Sequence, residues 1–229
     1  MTKGIFITAT GTDVGKTYVS ALLVKKMRDL GYNCGYFKPV LSGLERRGNK
    51  LIPGDADFVC KVAGIEADPM DSVVYAFEPA VSPHLASRMA NRPIIIGDII
   101  NGLSRQKSKY DYLISEGAGG ITCPFRMDND DVLLLSDVIS ILKQDVIIVA
   151  PAGLGGINYA LLTVDYAKKC GINVKGIILN GFEKDNFMHV DNKACIEKLT
   201  GIKVIATVAK DDKDINIDKE VLLSIFKEI

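Results

Sequence analysis

The sequence predicts an α/β fold, a mostly parallel central sheet of about seven strands flanked by helices, of the P-loop NTPase-like kind. Two observations predict it. Short apolar runs alternate with amphipathic segments along the chain, and the runs are apolar on both faces, as strands buried between helical layers must be. The first run, Gly4 to Thr8, leads into Gly11-Thr12-Asp13-Val14-Gly15-Lys16-Thr17, and a helical segment from Tyr18 to Leu30 follows. Strand, glycine-bearing turn, Gly-Lys-Thr and helix N-terminus together offer backbone N–H groups to phosphate oxygens, a lysine to the terminal phosphates and a hydroxyl to magnesium.

Taken in order, strands are expected near Gly4 to Thr8, Asn33 to Lys38, Ser72 to Ala76, Asp111 to Glu116, Asp145 to Ala150, Asn173 to Asn180 and Lys203 to Thr207. Helices are expected between them, near 17–30, 55–63, 84–91, 95–107, 131–142, 156–170, 189–199 and 218–228. The strict G-x-x-x-x-G-K-[ST] spacing would put its first glycine at position 10, where the chain has Thr10, so Gly11 is expected to supply the turn. Position 11 also lacks the lysine of the P-loop ATPases that act as trans-activating switch dimers.

The 229 residues suit one domain, 1–229. Lys plus Arg and Asp plus Glu both total 28, so no net field draws the chain to nucleic acid or an anionic membrane. The longest apolar stretches, Ile94 to Ile100 and Val146 to Ile157, are broken well short of the roughly 20 residues a membrane helix needs. With no basic, hydrophobic leader, the reading is a cytoplasmic protein. Five scattered cysteines, with no C-x-x-C pair, argue against a disulfide frame or zinc site. His84 and His189 lie far apart and read as packing or capping residues. The segment Gly43 to Pro53 reads as a mobile polar loop over the site, and Asp211 to Glu220 as a solvated loop and helix start.

In parallel sheets ligands collect at the carboxyl ends of strands, and the candidate residues lie there. Lys38 and Ser42 follow the second strand and stand beside the phosphate loop if the first two strands are neighbours; a lysine so placed can neutralise a transferring phosphoryl group, or merely snorkel. Glu116 ends the fourth strand just before Gly117-Ala118-Gly119-Gly120, where a magnesium-linked carboxylate belongs. Asp55 reads as a helix N-cap or a second carboxylate. Gly153 to Asn158, opening a helix after the fifth strand, is an anion site or a tight turn. Asn180 reads an adenine edge or terminates its strand.

Together, Thr-Gly-Thr-Asp-Val-Gly-Lys-Thr at 10–17, Lys-Pro-Val-Leu-Ser-Gly at 38–43, Ser-Pro-His at 82–84 with Arg92-Pro93-Ile94, Glu-Gly-Ala-Gly-Gly at 116–120 and Leu-Gly-Gly-Ile-Asn at 154–158 resemble the dethiobiotin synthetase family, in order and over essentially the whole chain. The resemblance implies a magnesium- and ATP-dependent enzyme of biotin synthesis that closes a cyclic urea on 7,8-diaminopelargonic acid with carbon dioxide. It implies that Lys16 and Lys38 hold the γ-phosphate and the carbamate, that Thr12 contacts the transferred phosphate, and that Thr17, Asp55 and Glu116 ligate magnesium. It extends the nucleotide site to Asp13, Val14, Gly15, Tyr18, Gly117, Ala118, Gly119, Asn180 and Ala209. Ser42 meets the reacting diamine end. A homodimer is implied, with Leu154, Gly155, Gly156 and Asn158 of the neighbouring chain binding the distal carboxylate of the substrate.

Three positions depart from the family pattern. Ala9 stands where many members have glycine, Thr-Val-Ala-Lys at 207–210 replaces a proline-bearing adenine segment, and Asn192 stands where some members offer a tyrosine to the substrate. Two other classes compete: an amidotransferase of the cobyrinate type, whose glutaminase domain 229 residues cannot hold, and an ATP-bound switch protein, against which Lys38 and the glycine at position 11 both speak.

Overall fold

Ile5, Phe6 and Ile7 are all fully buried, which only a strand covered on both faces allows. They lie on β1 (Lys3–Ala9). In the computed structural model, which describes residues 1–128 and 131–229, this strand is followed by α1 (Lys16–Asp29), β2 (Cys34–Ser42), β3 (Glu45–Arg47), β4 (Lys50–Ile52), α2 (Gly54–Ala63), a 3₁₀ turn (Pro69–Ser72) and β5 (Val73–Phe77). The chain continues through α3 (Pro83–Met89), α4 (Ile96–Lys107), β6 (Tyr112–Glu116), β7 (Pro124–Asp128), β8 (Asp131–Leu134), α5 (Leu135–Ile141) and β9 (Val146–Pro151). It ends with α6 (Gly156–Lys169), β10 (Val174–Asn180), α7 (Phe187–Thr200), β11 (Val204–Val208), α8 (Lys219–Ser224) and β12 (Lys227–Glu228).

Seven strands form a parallel sheet in the order β11-β10-β9-β1-β6-β2-β5, and the short β12 runs antiparallel to β1. The side-chain period of two divides the core cleanly. Phe6, Phe37, Leu113, Val146 and Ile148 point to one layer with Leu103, Val138 and Ala160; Ile5, Ile7, Tyr36, Ile114 and Val149 point to the other with Leu22, Val59 and Leu222. The expected seven strands are therefore all present, within a residue or two at most ends.

Four expectations change. The first two parallel strands are not neighbours: β6 lies between β1 and β2, pairing Ile7 with Glu116 on one side and Phe37 with Ser115 on the other. The polar segment after Gly43 is a hairpin, β3 and β4, rather than an irregular loop. Its arginines are paired locally, Arg47 reaching Asp57 at 2.6 Å, an acceptor shared with Lys61 of α2 at 2.7 Å, and Arg46 reaching Glu78 at 2.7 Å. Residues 131–134 pair as a strand with β7, and the helix begins only at Leu135, where the Asp137 carboxylate accepts the Leu134 N–H at 2.8 Å. The last helix stops at Ser224, because the segment beyond it returns to the sheet.

That return has a physical cause. Asp145, buried at the start of β9, accepts a 2.8 Å bond from Asn173 Nδ2 and an ion pair from Lys227 on β12, while the Ile229 side chain fills the space that a Cβ at Gly4 would need. We expect Lys227→Met to lower the free energy of urea unfolding by about 1–3 kcal/mol, the cost of leaving a buried acceptor under-satisfied. An unchanged unfolding midpoint would mean that Asn173 and the more distant Lys175, at 3.8 Å, suffice.

Candidate active site

The loop leaving β1 is held open by backbone geometry. Thr10 N–H bonds to Val149 O at 3.1 Å, which continues the sheet pattern one residue beyond the strand. Asp13 and Gly15 then take left-handed φ values of 59° and 88°, curling successive N–H groups toward one point. Gly15 is required there twice over, by its φ and because a Cβ would lie 2.1 Å from Asn180 Nδ2. Gly11, in contrast, has open space around it and no positive φ, so the reversal belongs to Asp13 and Gly15 and not, as expected, to Gly11; Thr10 in place of the usual first glycine is accommodated for the same reason.

Lys16 opens α1 and its ammonium donates to Gly11 O at 3.1 Å across the loop. Burial, and then the neighbouring Lys38 charge, lower its pKa, partly offset by Glu116 and Asp55. The strand order explains that neighbourhood. Because β6 separates β1 from β2, Glu116 stands between the two lysines, and the period of two aims Tyr36 and Lys38 of β2 and Glu116 of β6 at the same face, toward α1 and α2.

The carboxylate of Glu116 is fully buried and accepts from three side-chain donors. Its Oε1 accepts from Lys38 Nζ at 2.7 Å and from the Thr17 hydroxyl at 2.9 Å, and its Oε2 accepts from the Tyr36 hydroxyl at 3.0 Å. Lys38, also buried, bonds further to Gly117 O at 3.1 Å and to Asp55 Oδ2 at 2.6 Å. Burial pulls the Lys38 pKa down, but Glu116 and Asp55 more than offset this and leave it above the ordinary lysine value, so the ammonium stays charged. For Asp55 burial pushes upward and the Lys38 charge, with hydrogen bonds from Lys38 and Thr17, overrides it to leave a lowered pKa. Burial and the Glu116 charge raise Tyr36 well above the usual phenol range, so it remains a donor.

These groups open into a cavity of about 620 Å³ that is also lined by Thr12, Asp13, Tyr18, Ser42, Ala118 and Gly119. Thr17, Asp55 and Glu116 also line it with hard oxygens, a donor type that suits a hard divalent cation. Val14 lies half-buried behind the loop, packed into the α1 core layer, and accepts a bond from Asn180 Nδ2 at 3.1 Å through its carbonyl. Asn180 therefore spends a donor on the loop. Ala209 lies elsewhere, on the wall of a second cavity of about 800 Å³ with Thr207, Asp212 and Asn216.

Leu154, Gly155, Gly156 and Asn158 do not reach the first cavity within this chain. They form the turn into α6, where Leu154 is 91% exposed and Gly155 takes φ 84°. Asn192 supports that turn from beneath, its Nδ2 donating to Ala152 O at 2.8 Å and Gly153 O at 3.2 Å. His189 is likewise structural, its Nδ1 accepting from Glu183 N–H at 3.0 Å. Tyr36, Glu45 and Phe58 belong to the site or its rim without having been singled out from the sequence. For Tyr36 a signal existed: it is two residues before Lys38, so a strand must aim both the same way.

Among the described residues no helix is long and apolar enough to cross a membrane. A family model described as an AAA domain matches residues 3–216. Among solved structures, a ParA family ATPase from Chlorobium tepidum TLS is similar at TM-score 0.54 and 16% identity, over 98% of this chain and 90% of that one. The septum site-determining protein MinD complexed with Mg-ADP, from Pyrococcus horikoshii OT3, is similar at TM-score 0.53 and 15% identity, over 92% of this chain and 82% of that one. At such identities the likeness speaks to the P-loop fold alone. Much nearer in sequence are the ATP-dependent dethiobiotin synthetases of two Clostridium botulinum strains, Loch Maree at 45% identity and 657 at 46%, each over 229 residues and 100% of both chains. A match of that strength along the entire chain means that it belongs to the dethiobiotin synthetase family.

Proposed function

We propose that this chain is a single-domain, cytoplasmic ligase of biotin biosynthesis that carboxylates 7,8-diaminopelargonic acid and closes its cyclic urea at the expense of ATP, giving dethiobiotin, ADP and phosphate. The observation that carries this reading is Lys38, a buried ammonium fixed by Glu116 and Asp55 opposite the Lys16 loop. The switch ATPases carry their extra lysine in the phosphate loop itself; a second cation held rigidly on β2, outside that loop, suits an anionic co-substrate placed against the γ-phosphate.

One substrate amine adds to carbon dioxide, forming a carbamate and releasing a proton. A carbamate oxygen attacks the γ-phosphorus of ATP and ADP leaves; the second amine then attacks the carbonyl of the resulting mixed anhydride, and phosphate departs as the ring closes. Lys16 and Lys38 hold the two anions against their mutual repulsion, Thr12 steadies the phosphate in transfer, and Ser42 meets the reacting diamine end. This is catalysis by positioning and charge neutralisation. Thr17, Asp55 and Glu116 would hold magnesium, which when bound neutralises the nucleotide phosphates. Asn180 and the wall containing Ala209 lie on the path to the base.

A homodimer completes the site in this reading. Leu154 and Leu162 of the α6 region and Phe187 at the start of α7, on two helices that pack together, are exposed apolar side chains of the kind an interface covers. The N–H groups of that turn suit the distal carboxylate of a substrate held by the partner.

Phosphate release from ATP and magnesium bicarbonate should depend on 7,8-diaminopelargonic acid; release indifferent to the diamine would overturn the proposal in favour of a partner-regulated ATPase. Lys38→Ala should lower turnover by about a hundredfold or more, as loss of a transition-state donor does, with a smaller change in ATP affinity. Turnover close to wild type would remove Lys38 from the chemistry. Glu116→Gln keeps an oxygen acceptor for Lys38 and Thr17 but loses the charge, so the magnesium concentration for half-maximal rate should rise several-fold, about the cost of one carboxylate ligand. An unaltered magnesium dependence would contradict that ligand assignment.

A further inference from the structure

The two cavities at the carboxyl edge of the sheet are joined by one side chain. Tyr18 lies on the first turn of α1, two residues after Lys16, and its ring lines the first cavity, stacked against Phe58 of α2 with centroids 6.2 Å apart and planes at 30°. Its hydroxyl donates to the main-chain carbonyl of Asp212, a residue of the second cavity. We propose that Tyr18 is a positioning residue that straps the turn at 209–212 to the phosphate-loop helix and so sets the distance between the phosphate end and the base end of the nucleotide site.

The turn is closed by its own hydrogen bonds. Ala209 N–H donates to Asp212 Oδ2 at 2.7 Å, and Asp211 takes a left-handed φ of 65°, so the four residues close on themselves. Lys210 and Asp211 are exposed and add no packing. Just beyond the turn the chain is anchored by Ile215 and Ile217, buried in the core layer that α1 also enters, while the pair Lys26 and Asp214 at 3.0 Å is exposed and solvent-screened and contributes little. The Tyr18 bond is partly buried, so it is less screened than that pair.

Phosphates bound by the loop fix one end of a nucleoside triphosphate, and Tyr18 carries that frame to the surface that meets the other end. A ligand occupying the loop alone gains nothing from the strap. A ligand spanning both cavities binds a wall already in place, so less ordering is required on binding.

The inference rests on the nucleotide reading of the site, and its test separates the two. Binding of magnesium ATP and of magnesium tripolyphosphate, which has neither sugar nor base, is measured by calorimetry for wild type and Tyr18→Phe, a variant that keeps the stacked ring and loses only the hydroxyl. ATP should bind about fivefold more weakly to the variant, in line with one lost hydrogen bond, while tripolyphosphate affinity stays within about twofold. Hydrogen exchange of the backbone N–H groups at 209–214, measured without nucleotide, should quicken in the variant. Equal loss for both ligands, or unchanged ATP affinity with unchanged exchange, would overturn the strap. Failure of the wild type to bind ATP would overturn the nucleotide reading instead, with exchange still testing the strap.

Discussion

The carboxylate of Glu116 is the constraint on which the site depends. A fully buried charge without partners is among the costliest features a fold can contain, and this one is met by a threonine of α1 and by a lysine and a tyrosine of β2. Each partner is thereby fixed: Thr17 at the start of α1, Tyr36 and Lys38 along β2, and through Lys38 also Asp55 at the start of α2. Removing any one leaves the others aimed at an under-satisfied anion. The cluster orders the phosphate side of the molecule and at the same time accumulates charge where phosphoryl chemistry uses it, a coincidence that structural ion pairs alone do not require.

Strand order turns this cluster into a site. With β6 between β1 and β2, the carboxylate stands between Lys16 and Lys38; burial and then the Lys38 charge lower the Lys16 pKa, while Glu116 and Asp55 leave that of Lys38 raised. The loop amides, Lys16 and Lys38 thus present separate cationic surfaces around one cavity. Binding a triphosphate and a carbamate together requires that separation, since two anions must approach closely without either being displaced.

Much of this architecture is readable from residues alone because it rests on local rules. Strands apolar on both faces, and a glycine-lysine-threonine between strand and helix, state their own context. What the chain does not disclose locally is which strands are neighbours, and so the conditional placement of Lys38 beside β1 is resolved only by the fold. Asp131 to Leu134 and Lys227 to Glu228 look helical in sequence but are captured as strands, the first by the adjoining β7 and the second by the distant β1 and the buried Asp145. Asn180 and Asn192, polar residues at element ends, turn out to brace the phosphate loop and the α6 turn through backbone carbonyls, a use of the amide that carries no sequence signature. The second cavity is likewise assembled from the ends of β10 and β11 and the chain beyond each, which no motif links.

In the proposed reaction a carbamate oxygen attacks ATP. Bicarbonate labelled with oxygen-18, mixed rapidly with the enzyme, diamine and magnesium ATP before exchange with water, tests it by mass analysis of the phosphate released. One labelled oxygen is expected in each phosphate, carried from the carbamate when the ring closes. Cyclic urea formed together with unlabelled phosphate would contradict it.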